Sequence, residues 1–474
     1  MADYETTRQR HIEDMLSRVG EHLERLTWSA ERLREERTAR LRELITVAKA
    51  RSTWHRQRLE GVDPQEVDED SLRKLPAMSK ADLMAHYDAI VTDPRVTLER
   101  VNAHIAELTS DAYFLGELHA VASGGSSGVR GAFVWGWEAW ATVQLVVLRR
   151  QLHELMSDPA LAARPPVTML VAAENAAHFT SALAQTFATE AVQMHRFPIS
   201  LPLQEIVEGL NRVNGDGLAT YPSMLATLTS EAQAGRLTIQ PQRIVTMAEP
   251  LLPEIRHAAQ QTWSVPIANL WGTSEGGITA FGCFQDSGMH LSDDLVIVEP
   301  ADANGEPVPP GTPSEKVYLT NLFNPLLPLI RYEITDEVTP LDASCACGSA
   351  HRRIADIEGR HDDVFVYASG LTVQPYVFKS VLARAAAVTE YQVRQTSTGA
   401  EILLRAREPV DARGIERDLE AALERLGCPR PAVTTKLLPQ LPRLDTGKLK
   451  RFVPLHDAPA ARRQDLSRER TSPG

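Results

Sequence analysis

Cysteine is scarce in this chain: 474 residues contain four, at Cys283, Cys345, Cys347 and Cys428. So few thiols in so long a chain do not make a disulfide scaffold. In a cytosolic setting they stay reduced, and a cluster of them points to metal before a bridge. Positive charge is in deficit as well. Fifty Lys and Arg stand against 62 Asp and Glu, a net charge of -12. That argues against nonspecific nucleic-acid binding, which needs a basic surface. No run reaches the roughly 18 apolar residues of a membrane span, so no membrane partner is expected. The segment MADYETTRQRHIEDM is charged and has no apolar core, unlike a signal peptide. The expected compartment is the cytoplasm. No internal repeat is visible.

What is present is ordinary for a globular protein: 43% hydrophobic and 24% charged residues. The length exceeds one compact core and calls for two domains. Residues 5–60 read as helix, with Ile12, Met15, Leu16, Val19, Leu23 and Leu26 at helical spacing. Ser79 reads as the N-cap of a further helix. Through the middle, PVTMLVAAE, RIVTMAEP, PIANLWG and EKVYLTNLF read as short buried strands among helices at Trp137–Met156 and Pro222–Ala234. That alternation predicts an α/β fold with largely parallel sheets. After about 360 the pattern becomes a small α+β unit, with strands at 390–395, 401–407 and 432–437 and helices near 375–387 and at 413–426. The tail after 455 is polar and lacks periodicity, the composition of a disordered segment.

Several stretches carry groups suited to chemistry. ASGGSSGVRG, with Ser123, Gly124, Gly125, Ser126, Ser127 and Gly128, is either a nest of backbone N–H donors for phosphate or a Ser/Gly surface turn. No Gly-Lys-Ser/Thr follows, so it is not a Walker loop. NLWGTSEGG places an aromatic, hydroxyls and a carboxylate (Trp271, Gly272, Thr273, Ser274, Glu275) after a strand predicted to end at Leu270. Glu275 there is a candidate Mg²⁺ ligand or an incidental acid of a polar loop. Asp336 follows the apolar stretch that holds Arg331, where an aspartate can accept two ribose hydroxyls. Arg360, Asp362 and Asp363 mark the predicted domain boundary, and Lys448 sits in a Thr-Gly-Lys turn, a mobile point charge suited to phosphate. Cys283, His290, Cys345 and Cys347 form a candidate structural zinc site, three thiolates and an imidazole brought together by the fold; buried free thiols are the alternative. Cys428 lies outside that set.

Taken in order, the Ser/Gly stretch, TYPSMLATL, MAEPL, WGTSEGG, CACG…HRRIADIEGRHDD and TGKLKR resemble the adenylate-forming superfamily of acyl-CoA synthetases. Within it they are most similar to the phenylacetate–CoA ligase family. The resemblance spans roughly residues 120–451. It implies a large domain with mixed or parallel sheets and a small mobile α+β domain. Residues 1–110 would be a helical part, 111–360 the α/β core, 361–455 the small domain with its hinge near 360–363, and 456–474 a tail.

The implied reaction uses ATP, Mg²⁺ and a small carboxylic acid. An acyl-adenylate and pyrophosphate form, and a thiol, most often of coenzyme A, then displaces AMP. By the same resemblance Ser123–Gly128 wraps the β/γ-phosphates. Glu249 and Pro250 border the adenine, with Trp271 in place of the family's usual tyrosine. Ser274 contacts phosphate, Glu275 holds Mg²⁺, and Asp336 binds the ribose with help from Arg360. Lys448 bridges the attacking carboxylate and the α-phosphate, and Asp362 matches the hinge. Structural Zn²⁺ on the Cys/His set recurs in part of this family. The acyl pocket is expected between Trp135, Tyr221 and Ala248; the two rings suit an aromatic acid, with core packing as their other role.

This chain departs from the family in places. GVRG replaces a Gly-x-Pro-Lys continuation, so Arg130 is a candidate for the missing charge. ASGLTVQP differs from the usual glycine-rich counterpart that faces the thiol, which leaves an amine or a carrier protein open as acceptor. A nucleotide-binding homologue without catalysis is the reading from another class; a homodimer is a further expectation.

Overall fold

The structure is a computed structural model. It describes residues 4–123, 131–157, 166–188 (less 173 and 175), 193–357 (less 250, 252, 286, 287 and 335), 365–442 (less 369, 374, 383, 386, 407 and 440) and 452–455. The described residues up to 357 form one compact unit and those from 365 a second.

The larger unit begins with helices at Tyr4–Ser17, Val19–Glu24, Ala30–Arg51 and Thr53–Arg58, within the stretch expected to be helical. Ser29 and Ser52 cap two of them by accepting from Arg32 N and His55 N. Buried charge ties these helices down. Arg149 makes a two-pronged bond to Asp294, at 2.7 and 2.9 Å, and Arg25 reaches the same carboxylate at 3.3 Å. Burial alone would raise the Asp294 carboxyl, but Arg149 and Arg25 hold it well below its ordinary range. Next to it, Asp293 accepts from the Arg352 side chain at 2.7 Å.

Strands β1 (His119–Ala122) and β2 (Ala132–Trp135) form an antiparallel pair on either side of the Ser/Gly stretch. Then come β3 (Thr168–Ala172), β4 (Met194–Pro198), β5 (Gly217–Thr220), β6 (Arg243–Met247), β7 (Ile267–Thr273), β8 (Gly277–Gly282) and β9 (Met289–Leu291). β10 (Val296–Ala301), β11 (Lys316–Asn321), β12 (Tyr332–Ile334), β13 (Pro340–Leu341) and β14 (Arg353–Ile354) complete this unit. Nine strands form one sheet in the order β13-β14-β9-β8-β7-β6-β5-β3-β4, and β10-β11-β12 form another. β3 to β7 pair in parallel, but β7–β8, β8–β9, β9–β14 and β13–β14 are antiparallel. The expectation of largely parallel sheets therefore holds for half of the large sheet. The three-stranded sheet, which includes EKVYLTNLF, is antiparallel. β7 also runs on to Thr273 instead of ending at Leu270, because Gly272 and Thr273 pair with Ile278 and Gly277.

The smaller unit contains β15 (Phe365–Val366), β16 (Thr372–Val373), β17 (Val388–Gln395), β18 (Gly399–Ala406), β19 (Ala432–Leu437) and β20 (Phe452–Val453). Its four-stranded sheet runs β19-β18-β17-β20. Helix Ala412–Arg425 covers it with Ile415, Leu419 and Leu423 along one face. Asp411 caps the start of this helix, accepting from Gly414 N at 2.9 Å. Gly427, at φ +91°, follows its end in a conformation that costs other residues strain. The predicted elements of this unit recur within a few residues, except that DDVFVYASG supplies only a two-residue strand. No helix among the described residues is long and apolar enough to cross a membrane.

Candidate active site

Parallel strands place their C-terminal ends on one edge of a sheet, and the crevice outside that edge is where α/β folds bind ligands. Here β4 adds to one side of β3, while β5, β6 and β7 follow in succession on the other. The motif residues leave that edge together. Tyr221 follows β5, Ala248 and Glu249 follow β6, and Ser274 and Glu275 follow β7. Pairing of Thr220 with Thr246, and of Met247 with Leu270, puts these exits side by side.

The backbone at the edge is constrained. Ala248 is exposed and has φ +66°, a left-handed conformation that side chains disfavour and that concentrates at functional sites. The turn from Thr273 to Gly277 is held by a bond from Gly276 N to Thr273 Oγ1 at 2.8 Å and one from Asn321 Nδ2 to the Glu275 carbonyl at 3.0 Å. Gly277 adopts φ +70°, and a Cβ there would meet Val143 Cγ2 at 3.0 Å and Phe323 Cζ at 3.3 Å. Only glycine fits.

Glu275 is buried at 7% exposure. The ammonium of Lys80 stands 3.4 Å from its Oε1. The same Lys80 Nζ donates to Ser123 Oγ at 3.3 Å. Ser123 opens the Ser/Gly stretch, and its Oγ also accepts from Gly131 N at 3.0 Å. Tyr332, on β12, lies beside Glu275; burial first, and then that carboxylate, push its phenol well above the ordinary range. Lys80 belongs to no motif the sequence offers. Its one local signal is the neighbouring cap residue Ser79, which reads as structure alone.

Asp336 is half-buried, two residues past β12. Glu249 is half-buried at its strand exit. Trp271 is 5% exposed, and its indole N–H has no hydrogen-bond partner among the described residues. An unpaired buried donor at this edge is what a ligand acceptor would satisfy. Tyr221 is 5% exposed at the start of helix Pro222–Gln233. Trp135 is fully enclosed, packed on Trp140, Phe179 and Phe323 at centroid distances of 6.2, 5.6 and 5.8 Å. Its place is thus in the core wall behind Gly277. Gly124–Gly128, Arg130, Pro250, Arg360, Asp362, Asp363, Lys448 and the tail after 455 lie outside the described residues.

A second constellation lies at the other end of the large sheet. Cys283, His290, Cys345 and Cys347 bring their ligand atoms within 4.8 Å of one another. Cys283 and Cys345 sulfurs are 3.2 Å apart, and Cys347 Sγ is 3.4 Å from His290 Nε2. His290 Nδ1 donates to the His351 carbonyl at 3.2 Å, which leaves the Nε2 lone pair for a metal. Burial pushes the His290 imidazole down to about 4, so the ring is neutral at pH 7. Burial also pushes the Cys345 thiol up, but the Cys347 N–H and the Cys283 thiol more than offset it and hold Cys345 below its ordinary value. A tetrahedron with bonds of about 2.0–2.3 Å has ligand atoms about 3.3–3.8 Å apart, so this set can close around one ion with small adjustments. Cys428 stays apart, buried in the smaller unit.

Comparison with known proteins then shows what the chain is similar to. No family model matches the chain. A phenylacetate-coenzyme A ligase of Thermus thermophilus is 27% identical, over 90% of this chain and 98% of that protein. The solved structure of a 2-hydroxyisobutyryl-CoA ligase with its acyl-AMP and CoA matches with a TM-score of 0.60 at 19% identity, covering 91% of each chain. The same ligase in its postadenylation state gives 0.58. The chain is similar to a phenylacetate-coenzyme A ligase over nearly its whole length and shares the fold of an acyl-CoA ligase that forms an acyl-AMP. The edge that carries Tyr221, Ala248 and Glu275 belongs to the larger unit.

Proposed function

We propose that the protein is an ATP-dependent ligase that activates a carboxylic acid, aromatic in character, as an acyl-adenylate and passes the acyl group to coenzyme A. The observation that carries this is the shared sheet edge. There, the exits of three neighbouring parallel strands lie side by side, and Lys80 links the buried Glu275 to Ser123, the start of the Ser/Gly stretch. A phosphate nest, a carboxylate and nearby cations are what adenylyl transfer needs, because that chemistry is largely positioning and charge neutralisation.

In the first step a carboxylate oxygen of the acid attacks the α-phosphorus of ATP, and the bond to the bridging oxygen breaks to release pyrophosphate. In the second, the thiol sulfur attacks the acyl carbon, the carbon–oxygen bond to AMP breaks, and the thiol proton goes to solvent. Ser123–Gly128 hold the β/γ-phosphates and Ser274 contacts phosphate. Glu249, Pro250 and Trp271, with Gly272 and Thr273, frame the adenine. Asp336 and Arg360 take the ribose, and Lys448 bridges carboxylate and α-phosphate. Bound Mg²⁺, held by Glu275, supplies charge neutralisation for the polyphosphate. Tyr221 and Ala248 border the acid, backed by Trp135. Residues 361–455 turn about Asp362 between the steps.

The four-ligand Cys283, His290, Cys345, Cys347 set holds a structural zinc ion, which supplies a cross-link between β9 and the 345–347 loop. The composition fits a cytoplasmic enzyme, and a homodimer is a further part of this reading. One observation favours an amine or carrier protein in place of coenzyme A, namely the unusual ASGLTVQP stretch. Incubation with ATP, Mg²⁺ and a panel of aromatic acids, with and without coenzyme A, separates the two. Mass spectrometry should find acyl-AMP without coenzyme A and acyl-CoA with it. Acyl-AMP that persists in both would sink the thioester step, and neither product across the panel would sink the ligase reading.

A further inference from the structure

Lys80, Ser123 and Glu275 are far apart in the chain and meet at one ammonium. Lys80 Nζ is 3.3 Å from Ser123 Oγ and 3.4 Å from Glu275 Oε1. Its side chain is 12% exposed and that of Glu275 is 8% exposed. The backbone beneath Lys80 is fixed. Met78 bridges Tyr332 in parallel, with Met78 N bonded to Arg331 O at 2.9 Å and Glu333 N to Met78 O at 2.8 Å. Ser79 and Asp82 then form a reciprocal capping box that starts the next short helix. Lys80 is therefore delivered from a rigid base to Ser123 and Glu275.

A buried ion pair is a weak source of stability, since desolvation offsets most of the attraction. Its placement here has a better account. The ammonium sits beside the carboxylate assigned to Mg²⁺ and the first residue assigned to the β/γ-phosphates. A divalent cation arriving at Glu275 would repel the ammonium, and the β/γ-phosphates assigned to the stretch that Ser123 opens would receive it. We propose that Lys80 is a phosphate-binding residue that neutralises Glu275 in the empty site and moves onto the β/γ-phosphates when MgATP binds. This rests on the ligase reading above for the location of the nucleotide.

The test is calorimetric titration of MgATP and of AMP into wild type, K80Q and K80R. K80Q keeps a donor for Ser123 and Glu275, so it does not strand a buried carboxylate. The expected result is a rise of tenfold or more in the MgATP Kd of K80Q, with the AMP Kd within twofold of wild type and MgATP binding largely restored in K80R. Pyrophosphate release by K80Q should show a larger rise in KM for ATP than fall in kcat. Unchanged MgATP binding in K80Q, or equal weakening of MgATP and AMP, would overturn the proposal. Wild type that binds MgATP without any acid-dependent pyrophosphate release would overturn the ligase reading instead and leave the Lys80 titration decisive. Wild type that binds no MgATP would overturn both.

Discussion

Cys283 Sγ lies 3.2 Å from Cys345 Sγ, across a separation of 62 residues. The distance is too long for a disulfide bond of about 2.05 Å and is close to the spacing of two ligands of one tetrahedral ion. With Cys347 and His290 closing the set, pure protein should contain one zinc per chain by elemental analysis. Cys345→Ser should lose the metal and unfold earlier; structural zinc contributes on the order of 10 kcal/mol in small zinc domains. A Cys345→Ser protein with unchanged metal content and unchanged thermal midpoint would remove the site.

Glu275→Gln removes the buried carboxylate while leaving an acceptor for Lys80. Acid-dependent pyrophosphate release should fall by about 100-fold or more, the scale of losing a principal charge-stabilising group. Folding should be retained, because the Asn321 bond to the backbone carbonyl is untouched. A rate within twofold of wild type would take Glu275 out of the reaction.

Gly277→Ala asks alanine to adopt φ +70° and to press on Val143 and Phe323. Left-handed strain and overpacking together should cost about 2–4 kcal/mol. Denaturant unfolding of the larger unit should show it as a lower midpoint at unchanged slope. An unchanged midpoint would mean that the turn after Glu275 is looser than described.

Buried histidines set an acid limit on stability. Burial first, and then Arg25 beside His22 and Arg58 beside His55, push both imidazoles down to about 3. Unfolded, each titrates near 6.5. Between those values the unfolded chain binds protons that the folded chain excludes. Stability is thus intact above pH 6.5 and falls as pH falls, by up to about 1.4 kcal/mol per pH unit for each histidine. Unfolding midpoints at pH 7, 6 and 5 should fall less steeply in His55→Asn than in wild type. Parallel slopes would show that His55 protonates freely in the folded protein.

Much of this was legible in residue order. Motifs on strand exits are local, so Tyr221, Ala248, Glu249 and Glu275 could be found before the sheet that aligns them. The Cys/His set was legible because thiols are rare here. The helix Ala412–Arg425 and its neighbouring strands were legible because apolar period and capping agree. The three-stranded β10-β11-β12 sheet was not separated from the rest, since antiparallel pairing of short buried strands leaves no periodicity of its own. Lys80 was missed for a similar reason. It reaches Glu275 through a bridge between Met78 and Tyr332, a contact without local signature. For Trp135 and Tyr221 the sequence leaves pocket and core both open, and both side chains are buried.

The central claim is that this sheet edge transfers AMP to a carboxylic acid. Isotope exchange measures that step alone, without regard to the acceptor. Labelled pyrophosphate incubated with ATP, Mg²⁺ and an aromatic acid should enter ATP only when acid and enzyme are both present, and Lys448→Ala should abolish the exchange. Exchange absent across a broad acid panel, from protein that binds MgATP, would contradict the account.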